Sequence, residues 1–179
     1  MKRILLLVVL LVFLGGKYGD AATIYVNYAA TGSNTGASWA NAYTSLQSAL
    51  TVAVSGDEIW VAKGTYYPSS DHGLGGVRYK HFRMINGVAI YGGFAGTENG
   101  VSERTNFGVG QTNETILSGN TDACYHVFYH PTAPTVYTLS KDAILDGFTV
   151  KGGNASGDSP HDKGPGSTLT WMLTAKNTR

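Results

Sequence analysis

The feature that most constrains the fold is a short segment that recurs along the chain. Residues 89–94 (AIYGGF) align position by position with residues 143–148 (AILDGF), and residues 115–120 (TILSGN) match all but the last site. A weaker fourth copy begins at Ile59. The isoleucines at 59, 90, 116 and 144 are therefore 31, 26 and 28 residues apart. Spacings of this size are typical of stacked repeats.

Each copy has an aliphatic residue followed by a glycine, where the backbone can bend sharply. Parallel strands stack about 4.8 Å apart, so we expect the four isoleucines to lie in one continuous column of a solenoid. A doubly wound α/β fold would need a helix between successive strands, and residues 67–87 and 92–114 have no helical stripe. A β-sandwich stays open as an alternative, because short strands with glycine turns suit it too.

The individual elements follow from local patterns. Residues 27–41 are predicted to be a loop, because turn formers dominate and no apolar period is present. Tyr43, Leu46, Leu50 and Ala53 form one apolar stripe that predicts a helix over about residues 44–54. Thr44 and Gln47 have the spacing of a capping box. Strands are predicted over residues 58–62, 88–91, 115–117 and 143–145, and Lys63 to Tyr66 is predicted to be a turn.

Several motifs together resemble a known family. They are IYVN at 24–27, GASWANAY at 36–43, LQSAL at 46–50, GDEIWVAKGTY at 56–66, NGVAIYGGF at 86–94 and LDGFTV at 145–150. These resemble the pectate-lyase-like, choice-of-anchor type of bacterial surface and secreted proteins, over about residues 24–155. The resemblance implies an all-β, right-handed parallel β-helix with a short N-terminal capping α-helix. It implies little about chemistry, because that superfamily includes lyases, hydrolases and adhesins alike.

The N-terminal residues predict export, and the C-terminal residues predict a truncated β-helix. Lys2 and Arg3 precede an apolar run from Ile4 to Leu14, which is the layout of a secretory signal peptide. We assign residues 1–22 to the signal peptide, with cleavage after Ala21 or Ala22, and expect no stable membrane span in the mature chain. Residues 23–155 are assigned to the cap and first rungs. Residues 156–179 depart from the family pattern and are interpreted as an atypical or frame-shifted tail. The end of a truncated β-helix has unpaired strands, which are expected to promote self-association.

Charge excludes one class of partner. Without the predicted leader, the chain has 10 basic and 11 acidic residues. Binding to a nucleic acid would require a dense positive surface. No nucleic-acid partner is therefore expected, and a polysaccharide or cell-surface glycan fits an exported β-rich chain better. Cys124 has no second cysteine with which to form an internal disulfide.

Residues that could carry chemistry do not converge in the sequence. The acidic residues are scattered, whereas Ca²⁺ wants several oxygen ligands together; the loop from Asn27 to Asn34 offers only amides and hydroxyls. Asp142 and Asp146 are the one candidate carboxylate pair for a glycosidase, and Asp146 is expected to accept hydrogen bonds from turn amides. Glu98 and Arg104 are predicted to form an exposed ion pair.

The histidines and aromatic residues have competing interpretations. On a strand, His126 and His130 would lie about 13 Å apart, so structural roles are preferred for these two and for His72, His81 and His161. Seven aromatic residues could stack on sugar rings or fill the core, and packing is preferred; they are Tyr66, Tyr67, Tyr79, Phe82, Tyr125, Phe128 and Tyr129.

The sequence therefore predicts an exported β-helix protein with a structural or carbohydrate-binding role. No catalytic, cofactor-binding or metal-binding residue is assigned in this segment. The alternative is the N-terminal fragment of a polysaccharide lyase or glycoside hydrolase whose catalytic rungs lie elsewhere.

Overall fold

The structure, a computed structural model, describes residues 21–120, 122–130, 139–159 and 161–162. The predicted signal peptide lies almost entirely outside the described residues, as does most of the 156–179 tail. In chain order the elements are β1 (Thr23–Val26), α1 (Leu46–Val52), β2 (Glu58–Ala62), β3 (Gly64–Tyr66), β4 (Ala89–Phe94), β5 (Thr115–Ser118), β6 (Ile144–Asp146) and β7 (Phe148–Lys151). Short 3-10 turns occupy Val77–Tyr79 and Val101–Glu103.

The strands form two parallel sheets. The first has the order β1-β2-β4-β6 and the second the order β3-β5-β7. From β2 onward, successive strands alternate between the two sheets. All strand pairings among the described residues are parallel, so the antiparallel β-sandwich that the sequence left open is not found.

The predicted all-β, right-handed parallel β-helix is wrong. The described residues form two small parallel sheets with an α-helix and two 3-10 turns, a mixed arrangement. The four isoleucines do not share one column. Ile116 lies in the second sheet, opposite Thr65 and Thr149.

The sequence alignment of the last repeat is off by one residue. Ile144 pairs with Ala89 and is 41% exposed, whereas Leu145 is the residue opposite Ile90. The two repeats also diverge at the glycine segment that follows each strand. Gly93, with a φ of +89°, lies in a register shift that keeps Phe94 in the first sheet, opposite Ala62. Gly147 instead directs Phe148 into the second sheet, opposite Thr115.

The helix is shorter than its apolar stripe. It spans Leu46–Val52, and its N-cap is Ser45, whose hydroxyl accepts a hydrogen bond from the Gln47 amide at 3.2 Å. The predicted Thr44–Gln47 capping box is not formed, because the Thr44 amide instead donates to the side chain of Asn34. Gly64–Tyr66, predicted as a turn, is strand β3. In the described part of the chain, no helix has the length and apolar character to cross a membrane.

One face of the first sheet supplies much of the core. Ile24, Ile59, Ile90 and Leu145 lie opposite one another on neighbouring strands. Ile59 and Ile90 are fully buried, and Leu46 and Leu50 of α1 pack into the same cluster. Apolar burial of this kind contributes about 25 cal/mol per Å², so these contacts are the main stabilising term of the fold.

We expect truncation of the central core residue to destabilise the protein strongly. Ile59→Ala removes methyl groups from a site with no solvent exposure and should lower the free energy of unfolding by about 2–5 kcal/mol. Urea denaturation measures the change. The control is Val54→Ala, at a side chain that is 61% exposed; equal effects of the two substitutions would contradict the assigned core.

Candidate functional site

An open groove of about 570 Å³ lies beside the loop that follows β1. Its lining consists of small, amide and hydroxyl side chains around one indole: Asn27, Ala29, Ala30, Thr31, Gly32, Trp39, Ala40, Asn41 and Gly96. None of these lining residues carries a formal charge. We call this feature the Trp39 groove.

The indole of Trp39 is held in a fixed position. Its Nε1 donates a hydrogen bond to the backbone oxygen of Glu98 at 2.8 Å. Its ring packs against Tyr25 at 4.8 Å and Phe94 at 5.3 Å between centroids. Because the polar atom of the ring is satisfied within the protein, the part of the half-buried indole that lines the groove is an apolar surface.

The aromatic support beneath Trp39 comes from the register of the first sheet. Tyr25, Trp60 and Tyr91 lie opposite one another on β1, β2 and β4. They point away from the isoleucine face, because side chains alternate along a strand. Trp60 stacks on Phe94 at 4.9 Å and donates its Nε1 hydrogen to Glu58 at 2.8 Å.

The loop of residues 27–41, which contains no helix or strand as predicted, is held by its own polar groups. The Asn41 side-chain oxygen accepts hydrogen bonds from the Ser33 amide and hydroxyl, both at 3.0 Å. A Cβ at Gly32 would lie 2.2 Å from the Ala40 oxygen, so only glycine fits that wall of the groove. The groove is therefore formed in advance of any ligand.

Glu98 holds the loop that carries the lining residue Gly96, and the predicted ion pair with Arg104 is wrong. The Glu98 carboxylate is buried and accepts hydrogen bonds from the amides of Ala95, Gly96 and Thr97 at 2.6–3.0 Å. Burial raises the pKa of this carboxyl group, but these backbone N–H groups outweigh burial and hold the pKa below its ordinary value.

Arg104 forms a partly buried ion pair with Asp146 instead. Its Nη2 lies 3.0 Å from an Asp146 oxygen, and its Nη1 donates to the Gly92 oxygen at 2.8 Å. The guanidinium also lies over the rings of Tyr91 and Phe107. Asp146 thus accepts from a guanidinium rather than from the predicted turn amides. Asp142 is exposed and pairs with Lys141, so both carboxylates of the candidate glycosidase pair already have cationic partners.

A second cluster joins histidines and tyrosines from distant segments. His126 stacks on Tyr129 at 5.0 Å, and His161 stacks on Tyr125 at 5.1 Å. The two imidazole centroids are 5.4 Å apart. From the sequence, His126 was expected on a strand, but His126 lies outside the strands of both sheets. Within the described residues 122–130, Phe128 forms an isolated bridge with Phe82.

The imidazole rings of the other three histidines form hydrogen bonds with backbone atoms. His130 Nε2 accepts a hydrogen bond from the Met84 amide at 2.9 Å. His72 Nε2 lies 3.1 Å from the His81 oxygen. Burial lowers the pKa of His81 to about 4, so this ring is neutral at pH 7; its Nδ1 then donates to the Tyr79 oxygen and its Nε2 accepts from Arg83. These three rings contact neighbouring segments, and their structural role stays a prediction.

The seven aromatic candidates are distributed among different environments. Tyr66 and Phe82 are buried in the core, and burial raises the pKa of Tyr66. Phe128 packs against that core, whereas Tyr79, Tyr125 and Tyr129 belong to the histidine cluster. Tyr67 is 47% exposed. None of the seven lines the Trp39 groove.

Sequence reasoning did not single out Trp39, which lines the groove, and did not place His161 near His126. The signal for Trp39 was present, since a tryptophan in a loop of glycine, serine and asparagine has few local apolar partners. The nearness of His161 to His126 had no sequence signal. Among the described residues, no group of three or more histidine, cysteine or acidic side chains is arranged to hold a metal ion.

Comparison of the chain with protein-family models, with curated proteins and with solved structures gave no match. The resemblance to pectate-lyase-like surface proteins therefore stays a prediction from the sequence motifs.

We expect the Glu98 contribution to stability to depend on pH. Its folded-state pKa lies below the ordinary value of 4.5, so its stabilisation is present above that pH and is lost as the pH falls through the folded-state pKa. Glu98→Gln should lower the free energy of unfolding at pH 7 by about 1.5–3 kcal/mol, because hydrogen bonds to a charged group are lost. The difference from wild type should shrink below pH 4.5.

Urea denaturation at a series of pH values from neutral to acidic measures the free energy of unfolding of wild type and of Glu98→Gln. Glu103→Gln is the matched control, because the exposed Glu103 accepts a single amide hydrogen bond from Asn99. A Glu98→Gln difference that stays constant over the whole range would contradict the assigned carboxylate.

Proposed function

We propose that the protein is exported and binds a neutral carbohydrate chain in the Trp39 groove. The observation that carries this proposal is the lining of the groove, which combines a fixed, half-buried indole with amide and hydroxyl groups and has no charged side chain. Aromatic surfaces accept the C–H face of a sugar, and a few placed polar groups give orientation.

Specific polar atoms support hydrogen bonding to sugar hydroxyls. Asn27 Oδ1 accepts from the Ala29 amide at 3.0 Å. Asn27 Nδ2 lies 3.4 Å from where a Cβ at Gly96 would be, so the glycine leaves space beside an amide donor. The Thr31 hydroxyl, in an exposed residue of the lining, can both donate and accept.

The absence of charge in the lining favours neutral sugars over uronic acids. A polyuronate carries one carboxylate per residue and would call for arginine, lysine or Ca²⁺ in its site. The nine lining residues of the groove offer no such group. The proposed ligand class is therefore a neutral glycan, in contrast to the substrates that a pectate-lyase-like enzyme would imply.

We expect Trp39→Ala to weaken glycan binding and Trp39→Phe to weaken it less, because the smaller ring preserves some stacking surface. Native gel electrophoresis through soluble neutral polysaccharides, such as glucans, mannans and galactans, measures the retardation; titration calorimetry with oligosaccharides of the retarding glycan gives the affinity. Loss of the stacking contact should weaken binding by at least about tenfold, equivalent to about 1.4 kcal/mol.

The matched control is Tyr67→Ala, which removes an exposed aromatic ring outside the groove. The retardation of Tyr67→Ala in the polysaccharide gel should equal that of wild type. Retardation by polygalacturonate but by no neutral glycan would contradict the proposal and favour the enzyme-fragment alternative. Wild-type affinity of Trp39→Ala for the glycan would also contradict the proposal.

The contacts of Ala22 support a cut after Ala21 if the chain is exported as proposed. Gly19 and Ala21 are small residues at the −3 and −1 sites of a cut after Ala21. The Ala22 amide nitrogen lies 3.0 Å from an oxygen of the buried Asp57, and the Ala22 oxygen accepts from Glu58 at 2.9 Å. A cut after Ala21 would turn that nitrogen into an ammonium group paired with Asp57, whereas a cut after Ala22 would remove both contacts.

We therefore expect the exported chain to begin at Ala22. Expression of the full sequence in a bacterium, followed by intact-mass measurement of protein from the extracytoplasmic fraction, determines the first residue. A chain that stays uncleaved would contradict export, and a chain that begins at Thr23 would contradict only the role of Asp57.

A further inference from the structure

Two imidazole nitrogens in the histidine–tyrosine cluster are buried and have no hydrogen-bond partner. They are His126 Nε2 and His161 Nδ1. A buried polar atom without a partner costs about 1–3 kcal/mol. Most buried polar atoms are satisfied, so an exception often marks a bound water or ion. Here two exceptions occur on neighbouring rings.

We propose that His126 and His161 bind one divalent transition-metal ion of the Zn²⁺, Ni²⁺ or Cu²⁺ class. Neutral imidazole is a common ligand of these ions. The two rings would supply two ligands, and water or another exogenous group would complete the coordination. The site is independent of the Trp39 groove, since neither histidine lines it.

The separation of the rings fits a shared ion. A Zn–N bond of about 2.0–2.1 Å and a tetrahedral angle place the centroids of two imidazole ligands about 5.2 Å apart. The observed separation of the His126 and His161 centroids is 5.4 Å, with the ring planes tilted by 44°. The spacing of the two rings thus matches that of two imidazole ligands of one ion.

Stacking and electrostatics prepare the pair for ligation. His126 stacks on Tyr129 and His161 on Tyr125, while Tyr79 packs edge-on against His161. Burial lowers the pKa of His126, and the neighbouring His161 adds to this effect.

Arg78 holds together the two segments that carry the pair. Its guanidinium lies 4.1 Å from the Tyr125 ring centroid and donates to the Ala123 oxygen, the Asn154 oxygen and the Ser156 hydroxyl. The Asn154 amide also donates to the Cys124 oxygen at 2.8 Å. The loop that leads to His161 is thus attached to the segment of His126 before any ion binds.

Titration calorimetry with Zn²⁺ on untagged protein at pH 7 tests the proposal. We expect one bound ion per chain in the wild type. His126→Gln and His161→Gln should each weaken binding by at least about tenfold, since even the loss of an outer partner of a ligand costs about 10–100-fold. His72→Gln is the matched control, because it removes a half-buried histidine that contacts His81 instead.

Two-bond ¹H–¹⁵N spectra of the imidazoles identify the ligating rings directly. Zn²⁺ should shift the nitrogens of His126 and His161 and leave those of His130 unchanged. Absence of Zn²⁺ binding to folded wild type overturns the proposal, and so does binding that His161→Gln leaves intact. If His126→Gln fails to fold, His161→Gln and the spectra still decide, because His161 lies in a loop outside both sheets.

Discussion

The parallel register between β2 and β4 is the constraint on which the rest of the structure depends. It sets Ile59 opposite Ile90 in the core and, one residue further along, Trp60 opposite Tyr91 on the other face. A slip of one residue would exchange these faces. It would move the isoleucines to the side of Trp39 and the aromatic support of Trp39 to the side of α1. The apolar core and the candidate binding surface are therefore fixed by the same set of backbone hydrogen bonds.

The two candidate sites use this framework differently. The Trp39 groove lies against the aromatic face of the first sheet, where Glu98 and Asn41 organise short loops through backbone and side-chain hydrogen bonds. The His126–His161 pair lies among loops, and Arg78 bridges the segments that carry it. The groove offers an uncharged surface suited to a sugar. The pair offers two nitrogen lone pairs suited to a metal ion.

Local sequence patterns located several elements well. The β-forming run at 58–62 is β2, and the predicted strands near 89, 115 and 144 are β4, β5 and β6. The patterns failed to predict contacts between residues that are far apart in the sequence. Equal motifs at Ile90 and Ile144 suggested equal positions, but the glycine segments after them send the chain to different sheets. Glu98 was assigned to Arg104 because the two are close in sequence, yet backbone amides surround Glu98 and Asp146 reaches Arg104 from β6.

The sequence by itself located four of the seven described strands, the loop of residues 27–41 and the short helix, because β-propensity, glycine turns and an apolar stripe act over a few residues. It also determined the near-neutral charge and the signal-like start. Only the tertiary structure decided which strands share a sheet, which carboxylate meets Arg104, and which histidines become neighbours. Those outcomes depend on contacts between segments 35 residues apart for His126 and His161 and 42 apart for Arg104 and Asp146. No local propensity encodes such pairings, because they are selected by the packing of the whole chain.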